Sequence, residues 1–286
     1  MQNQHVALVT GANHGEMGAI ERSAELIERD AWLDLFAAAP DHVRESLGLA
    51  STMVAGMGLL GCRAIPITEL NRAMAVGIEG ELSRDDLDEA VAWLDSNATG
   101  WALQVAPFVT ADVVQAFIAQ VSLTATGTGW AKFARTDGAS EPLRGTIEIA
   151  RVDAASAASF GSAVAGGFGL PAPCAAWFAA LVDRPSWHCF LAIVDGAVAG
   201  GGTMYVRDDA AWLGIAGTLP AFRSQGVQRS LLHRRIAAAT EMGARVESSE
   251  TGQPGEGQEA EFPSFRNMSR AGFERLYVRP NLKRES

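Results

Sequence analysis

The chain has 286 residues, a formal net charge of -10 at pH 7, and 48% hydrophobic and 20% charged residues. This composition excludes global disorder, and the acidic balance argues against general nucleic-acid binding, which requires a basic surface. Three cysteines cannot build a disulfide framework, and the five histidines are scattered along the chain, so no metal site is predicted.

The N-terminal stretch lacks a basic region ahead of its short apolar segment, so no secretion signal is predicted. The apolar segments are too short and too rich in glycine to cross a membrane. We therefore expect a cytoplasmic protein without a membrane partner.

Residues 19–37 carry apolar side chains at helical spacing and stop before Pro40, which predicts a long first helix. Residues 49–65 are apolar and rich in glycine, and they predict two short strands joined by a tight turn. Ser83 is a good N-cap for a helix over residues 84–95. The other elements predicted in this half are strands at 70–77, 101–106 and 129–135 and a helix at 111–121.

Polar, turn-forming residues at 136–146 predict a linker. Asp195 and Gly196 stand between two apolar runs, which indicates a hairpin. The elements predicted in the second half are strands at 147–152, 189–194, 197–206, 211–218, 244–250 and 273–279 and helices at 154–165, 175–182, 226–242 and 264–271.

Both halves share the order strand, helix, strand, helix, strand, which favours an internal duplication. We predict an α/β protein with an N-terminal domain at residues 1–140 and a C-terminal domain at residues 145–286. The turn at 77–86 in the first half carries carboxylates that would repel an anionic cofactor, so we expect this half to shape the substrate site instead. These carboxylates are Glu79, Glu81, Asp85 and Asp86.

The second half contains a candidate anion-binding turn at residues 218–229, TLPAFRSQGVQR. A strand is predicted to end near Thr218 and a helix to start near Gly226, so unpaired N–H groups and the positive end of the helix dipole face the turn. Arg223 and Arg229 add positive charge, and Gly226 permits close approach of the backbone. A pyrophosphate fits these features; an ordinary turn with two solvated arginines is the alternative.

Residues 194–232, VDGAVAGGGTMYVRDDAAWLGIAGTLPAFRSQGVQRSLL, resemble the GNAT family of acyl-CoA-dependent N-acyltransferases. The family motif is Arg or Gln, two residues, Gly, one residue, and Gly or Ala; Arg223 and Gly226 match it, and Gln228 departs from it. Residues 247–281, ESSETGQPGEGQEAEFPSFRNMSRAGFERLYVRPN, and 184–196, RPSWHCFLAIVDG, resemble a GNAT subgroup with a degenerate N-terminal half. The resemblance covers residues 147–282 well, and LNRAMAVG (70–77) and GWAKFAR (129–135) match more weakly.

The resemblance implies an α/β fold with a C-terminal GNAT-like mixed sheet flanked by helices, preceded by a smaller degenerate GNAT-like domain. It implies acetyl-CoA (coenzyme A) as the co-substrate, with its pyrophosphate at the turn and its pantetheine along residues 212–219. The reaction expected is transfer of an acetyl group to the primary amine of a small molecule, and a non-catalytic acyl-CoA sensor is the alternative. The cofactor-binding residues predicted are Leu219, Arg223, Ser224, Gln225, Gly226, Val227, Gln228, Arg229 and Asn267.

Many GNAT enzymes use a tyrosine four residues before a Gly-Phe pair as general acid, and Met268 occupies that position here. Glu250, at the C-terminal end of its strand, is the candidate base or amine-binding group, with capping of a neighbouring turn as the alternative. The two tyrosines are the nearest replacements for the acid; Tyr205 is the candidate, and Tyr277 on the last strand is interpreted as structural or substrate-facing. The candidates for an acceptor pocket are Phe168, Trp177 and Trp187, for which core packing is the alternative. A homodimer is compatible with the sequence.

Residues 6–18, VALVTGANHGEMG, are similar to the start of a short-chain dehydrogenase. The Tyr-x-x-x-Lys motif of that family cannot be built here, because Asp209 and Asn281 stand four residues after the two tyrosines. We therefore interpret this segment as a loop that enters the first helix.

Overall fold

The protein is described by a computed structural model that covers residues 18–136 and 147–284. Residues 1–17, which hold nearly all of the dehydrogenase-like segment, and most of the predicted linker lie outside these ranges. The helices are α1 (Ala19–Ala37), α2 (Asp41–Leu47), α3 (Arg84–Asn97), α4 (Asp112–Gln120), α5 (Ala157–Phe168), α6 (Pro173–Ala179), α7 (Val227–Glu241) and α8 (Pro263–Arg270). The strands are β1 (Leu49–Val54), β2 (Met57–Cys62), β3 (Arg72–Met74), β4 (Ala102–Gln104), β5 (Leu123–Arg135), β6 (Glu148–Arg151), β7 (Trp187–Val194), β8 (Ala197–Arg207), β9 (Ala210–Trp212), β10 (Ala216–Thr218), β11 (Val246–Gly252) and β12 (Glu274–Arg284).

Local sequence signals set several element boundaries. The first helix has the predicted bounds. Ser83 caps α3, and its side chain and backbone bond reciprocally with Asp86 in a capping box. Asp195 and Gly196 both have positive φ, 50° and 78°, as the two central residues of a tight hairpin turn do. The predicted strand at 70–77 is shortened to β3, because Ala75 and Gly77 have left-handed φ values of 53° and 69°.

The prediction of one continuous strand over residues 211–218 is wrong. The chain leaves the sheet after β9 and rejoins it at β10. Ile215 has φ 51°, which a strand does not allow, and the ring of Trp212 folds against Gly214, where a Cβ atom would lie 2.0 Å from it. The interruption therefore follows from the packing of Trp212 under a residue without a side chain.

The strands of both halves form one sheet in the order β1-β2-β3-β4-β12-β5-β11-β9-β8-β7-β6, with β10 paired to β8. The last strand of the first half, β5, lies between β12 and β11 and is antiparallel to both. In turn, β12 reaches past β5 and pairs with β4 through Asn281 and Leu282. Each half thus completes its part of the sheet with a strand from the other half. The predicted boundary at residues 140–145 falls between β5 and β6, outside the described residues, and the two-domain division stays a prediction.

Helices cover both faces of the sheet. Alternate residues of β7 face opposite sides: Cys189 and Leu191 pack in one core with α1, α2, α5 and α6, and Phe190 and Ala192 pack in another with α7 and α8. A third core joins α3 and α4 to the strands of the first half. Helix α1 of the first half lies against β9 and β11 of the second. None of the helices in the described ranges is both long and apolar enough to span a bilayer.

Candidate functional site

An open cleft of about 730 Å³ lies where α5, β10, α7 and α8 meet. Its walls combine the turn after β10 with the first turns of α7 and α8. The residues that line it are Gly167, Phe168, Ala216, Gly217, Thr218, Phe222, Arg223, Ser224, Gln225, Gly226, Val227, Gln228, Arg229, Pro263, Ser264, Arg266, Asn267 and Arg270. The structure therefore gathers eight of the nine predicted cofactor-binding residues around one cleft.

The turn before α7 presents backbone N–H groups to this cleft. After β10 the chain makes a short 3-10 helix, and then Ser224 and Gly226 take positive φ values of 64° and 90°. Gly226 is the N-cap of α7, and none of the side chains that the structure describes caps the helix. The first N–H groups of an α-helix have no partners inside the helix, and they carry a partial positive charge. An anion placed at this end meets oriented donors.

Four arginines add charge to the same cleft: Arg223, Arg229, Arg266 and Arg270. None of the described lining residues is a carboxylate. Arg223 Nη2 donates to the carbonyl of Gly167 over 3.2 Å, which fixes its guanidinium at the rim. Arg266 and Arg270 were not among the predicted site residues, although their spacing of four places them on one face of the helix at 263–270.

Gln228, which departs from the family motif, connects α7 to α8. Its Nε2 donates to Ser264 Oγ over 3.0 Å, and Asn267 Nδ2 donates to its Oε1 over 2.9 Å. The side chain of Gln228, which is longer than the Gly or Ala of the motif, is thus held toward α8. Leu219 is the predicted cofactor residue that does not line the cleft; it contributes to a neighbouring shallow groove on α5 with Ser159 and Ser162.

The sheet opens next to the cleft. Strands β9 and β11 pair only from Val246 to Ser248, and Leu213 N donates to the carbonyl of Ser248 at the end of this ladder. Beyond it, β10 pairs with β8 alone. The backbone groups of Ile215 and Leu219 form hydrogen bonds with β8. Because strand residues alternate, the N–H and C=O groups of Ala216 and Thr218 point to the open side.

Glu250 lies on β11 two residues beyond this ladder. Its side chain is 7% exposed and accepts a hydrogen bond from Arg279 Nη2 over 2.8 Å. Arg72 and Lys132 lie 3.5 and 3.7 Å from its carboxylate oxygens. Burial, and next the charge of Glu28, raise the pKa of Glu250 to about 7, although the three cations oppose this shift. At neutral pH this carboxyl group is therefore present in both its protonated and its ionised form.

The surroundings of Glu250 form a buried charge cluster, composed of Glu25, Glu28, Arg72, Lys132, Glu250 and Arg279. It contains equal numbers of carboxylates and cations. Glu28 is fully buried and accepts from Arg279 Nη2 over 2.9 Å, and Arg279 also holds Glu25 through two bonds of 2.8 and 2.9 Å. The two glutamates of α1 thus connect the first half of the chain to β12, whose Arg279 also binds Glu250.

Neither of the two predicted catalytic residues, Glu250 and Tyr205, lines the cleft. Tyr205 lies on β8, is 5% exposed, and packs edge-on against Trp187. Burial raises the pKa of its hydroxyl. Met268, at the position of the usual tyrosine, is buried in the core under α7 and α8.

Of the three predicted acceptor aromatics, Phe168 lines the cleft and is 51% exposed. Trp177 and Trp187 instead pack in the core with α1. Their indole N–H groups donate to Leu35 O and Asp34 Oδ1, each over 2.7 Å. Both tryptophans therefore join the two halves of the chain. In the described part of the chain, no group of three His, Cys, Asp or Glu side chains is arranged to hold a metal ion.

No family model matches this sequence, and no curated protein matches it. Solved structures do resemble it. A GCN5-related N-acetyltransferase from Kribbella flavida has a TM-score of 0.59 at 16% identity, over 95% of this chain and 97% of that one. A GCN5-related N-acetyltransferase from Sphaerobacter thermophilus has a TM-score of 0.56 at 16% identity, over 75% and 71% of the two chains. A tandem GNAT protein from the clavulanic acid biosynthesis pathway has a TM-score of 0.52 at 15% identity, over 90% and 94%. This chain therefore has the fold of the GCN5-related N-acetyltransferases.

Proposed function

We propose that this protein transfers an acyl group, acetyl in the first instance, from acyl-CoA to the primary amine of a small molecule. The observation that carries the proposal is the continuity of the site. The helix N-terminus at Gly226 and its arginines adjoin the open edge of β10, and this edge leads to the point where β9 and β11 separate, beside Glu250. The fold shared with solved N-acetyltransferases supports the same reading.

The cleft residues fit acetyl-CoA as a co-substrate. The first N–H groups of α7 and the side chains of Arg223 and Arg229 would hold the pyrophosphate. The free backbone groups of Ala216 and Thr218 would bond to the amide groups of the pantetheine as a further strand does. The additional charge of Arg266 and Arg270 suits a ligand that carries a third phosphate.

In the proposed transfer the amine nitrogen attacks the thioester carbonyl, a C–N bond forms, the C–S bond breaks, and the thiolate leaves. Glu250 accepts the proton that the amine loses, directly or through water. A pKa of about 7 leaves much of this group ionised at neutral pH. Ordinary thiols have a pKa of about 8.5, so the departing thiolate needs little help from a protein acid. The transfer is therefore compatible with Met268 at the tyrosine position.

We propose that the first half forms part of the wall of the acceptor site and does not bind a second cofactor. Helix α1 covers the face of β11 that carries Glu250, and Trp32 of α1 packs on Trp212 of β9 with ring centroids 5.8 Å apart. In the turn at 77–86, Glu79 pairs with Arg29, and Asp86 completes the capping box of α3. The resemblance to a tandem GNAT protein supports a chain built from two GNAT-like halves.

A turnover assay tests the proposal. Acetyl-CoA is mixed with a panel of primary amines, and release of the thiol is followed. We expect amine-dependent release that falls by about 100-fold or more in Glu250→Gln. Glu247→Gln is the matched control, because Glu247 lies on the opposite face of β11, 2.8 Å from Arg135, and it should retain activity within a few-fold. Binding of acetyl-CoA without release for any amine would favour the sensor alternative instead.

A further inference from the structure

Two carboxylates compete for the same three cations beside the proposed reaction site. Glu28 of α1 accepts from Arg279 Nη2 over 2.9 Å, lies 3.2 Å from Arg72 Nη2, and accepts from Lys132. The same three cations lie 2.8, 3.5 and 3.7 Å from the oxygens of Glu250. Within residues 18–136 and 147–284, every cation that contacts Glu250 is thus shared with Glu28.

The sharing is unequal. Glu28 is fully buried, and its contacts to Arg72 and Lys132 are closer than those of Glu250. Burial opposes its ionisation, but the charges of the three cations outweigh burial and hold the pKa of Glu28 well below its usual value. A hydrogen bond from the carboxyl group of Glu250 acts in the same direction. The ionised form of Glu28 is therefore favoured, and a proton in this cluster resides on Glu250.

The third carboxylate, Glu25, is placed differently. It lies three residues earlier on α1 and binds Arg279 through both oxygens. It also accepts from the hydroxyl of Tyr277 over 2.6 Å. Among the described contacts it shares only Arg279 with Glu250. Glu25 therefore has the same charge and helix as Glu28 but much less influence on Glu250.

We propose that Glu28 is a positioning residue for the acyl transfer: by occupying the three cations, it leaves Glu250 as the carboxyl group that takes and gives up the proton. The inference rests on the proposed function of the same site. It gives the first half of the chain a part in the chemistry, because α1 supplies the charge that keeps the base on β11 protonatable near neutral pH. The groups that face Glu250 are Glu28 from α1, Arg72 from β3, Lys132 from β5 and Arg279 from β12.

The test measures the titration of Glu250 directly. The full chain is labelled with carbon-13 at the glutamate carboxyl groups, and the Glu250 signal is assigned by its loss in Glu250→Gln. In Glu28→Gln the midpoint of Glu250 should fall by about one pH unit or more, because a like charge is removed and three cations are released to Glu250. In the matched variant Glu25→Gln it should fall by much less. The acid limb of the kcat/KM profile should move with the midpoint.

Glu28→Gln leaves three buried cations against two carboxylates, which threatens folding. The double variant Glu28→Gln with Lys132→Met restores the charge balance, and it should still lower the Glu250 midpoint. An unmoved midpoint, or equal shifts in the Glu28 and Glu25 variants, would overturn the inference whether or not the enzyme turns over. A wild type without turnover for any amine would instead overturn the proposed function, and the titration would show that the two failures are separate.

Discussion

Gly226 offers a direct test of the proposal that the cleft binds acetyl-CoA, because a substitution there changes the cleft without a steric clash. Its φ of 90° is favourable only for glycine, and a Cβ atom would lie 3.8 Å from Ile147 Cδ1, which is ordinary contact. Gly243, just past the other end of α7, has φ 83°, and a Cβ atom added there would meet no other atom within 4 Å. Gly226→Glu and Gly243→Glu therefore impose the same kind of strain at opposite ends of one helix.

The left-handed backbone conformation of both positions sets the expected loss of stability. A non-glycine residue in the left-handed region costs about 1–2 kcal/mol. At about 2–4 °C of Tm per kcal/mol for a chain of this size, both variants should melt several degrees below the wild type without ligand. Acetyl-CoA at about 100 times its Kd adds about 2.7 kcal/mol to the stability of a protein that binds it. This corresponds to a rise of about 5–10 °C in the wild type.

Thermal melting with and without acetyl-CoA separates the two effects. Gly243→Glu should keep the full ligand-induced rise. Gly226→Glu should lose it, because the new carboxylate lies at the helix N-terminus and competes with the pyrophosphate for the arginines. A full rise in Gly226→Glu would show that the cofactor does not bind at this turn, and loss of the rise in both variants would show that strain alone is responsible.

Three further outcomes are expected. Because the pKa of Glu250 is raised from 4.5 to about 7, its ionisation costs the folded state about 3 kcal/mol, and the wild type loses this stability as pH rises through that window. In urea unfolding, the free energy of unfolding of Glu250→Gln relative to the wild type should rise by about 3 kcal/mol between pH 4.5 and 8. A difference that does not change with pH would contradict the raised pKa of Glu250. Arg270→Gln should weaken acetyl-CoA binding two- to fivefold, about 0.5–1 kcal/mol, by calorimetry at low salt, with a smaller effect at high salt; equal loss at both would exclude a charge effect. Tyr277→Phe removes the 2.6 Å bond to Glu25 and should cost about 1–3 kcal/mol of stability, with acetyl-CoA affinity unchanged because Tyr277 is outside the cleft; weakened binding would show that the cleft depends on this buried bond.

The interlocked strands explain how residues of the first half come to contact Glu250 in the second. Strand β5 carries Lys132, and it stands between β12, which carries Arg279, and β11, which carries Glu250. Neighbouring strands lie about 4.8 Å apart, so side chains on one face of three adjacent strands meet. Helix α1 then places Glu28 over them. The charge cluster is a consequence of strand order across the two halves.

Local patterns in the sequence were sufficient to predict the helices, caps and turns that depend on residues close together in the chain. The apolar spacing of residues 19–37, the cap at Ser83 and the turn at Asp195 and Gly196 each act within a few residues, so the chain itself encodes them. The turn at 218–229 has the same local origin, because a strand end, a glycine and a helix start are adjacent in the chain, and its binding of an anion stays a prediction. The expected GNAT-like mixed sheet flanked by helices was confirmed at the level of the fold.

The tertiary structure alone decided which distant side chains meet. Glu28 and Glu250 are more than 200 residues apart in the chain, and only the insertion of β5 between β12 and β11 and the packing of α1 over them join the two carboxylates to one set of cations. The core packing of Trp177 and Trp187 could not be predicted either, since the same aromatic residue type occurs in cores and in binding pockets. Sequence spacing determines the contacts between residues within one or two turns of each other. Burial and ion pairing between distant residues depend on strand order and helix packing, which a local pattern does not specify.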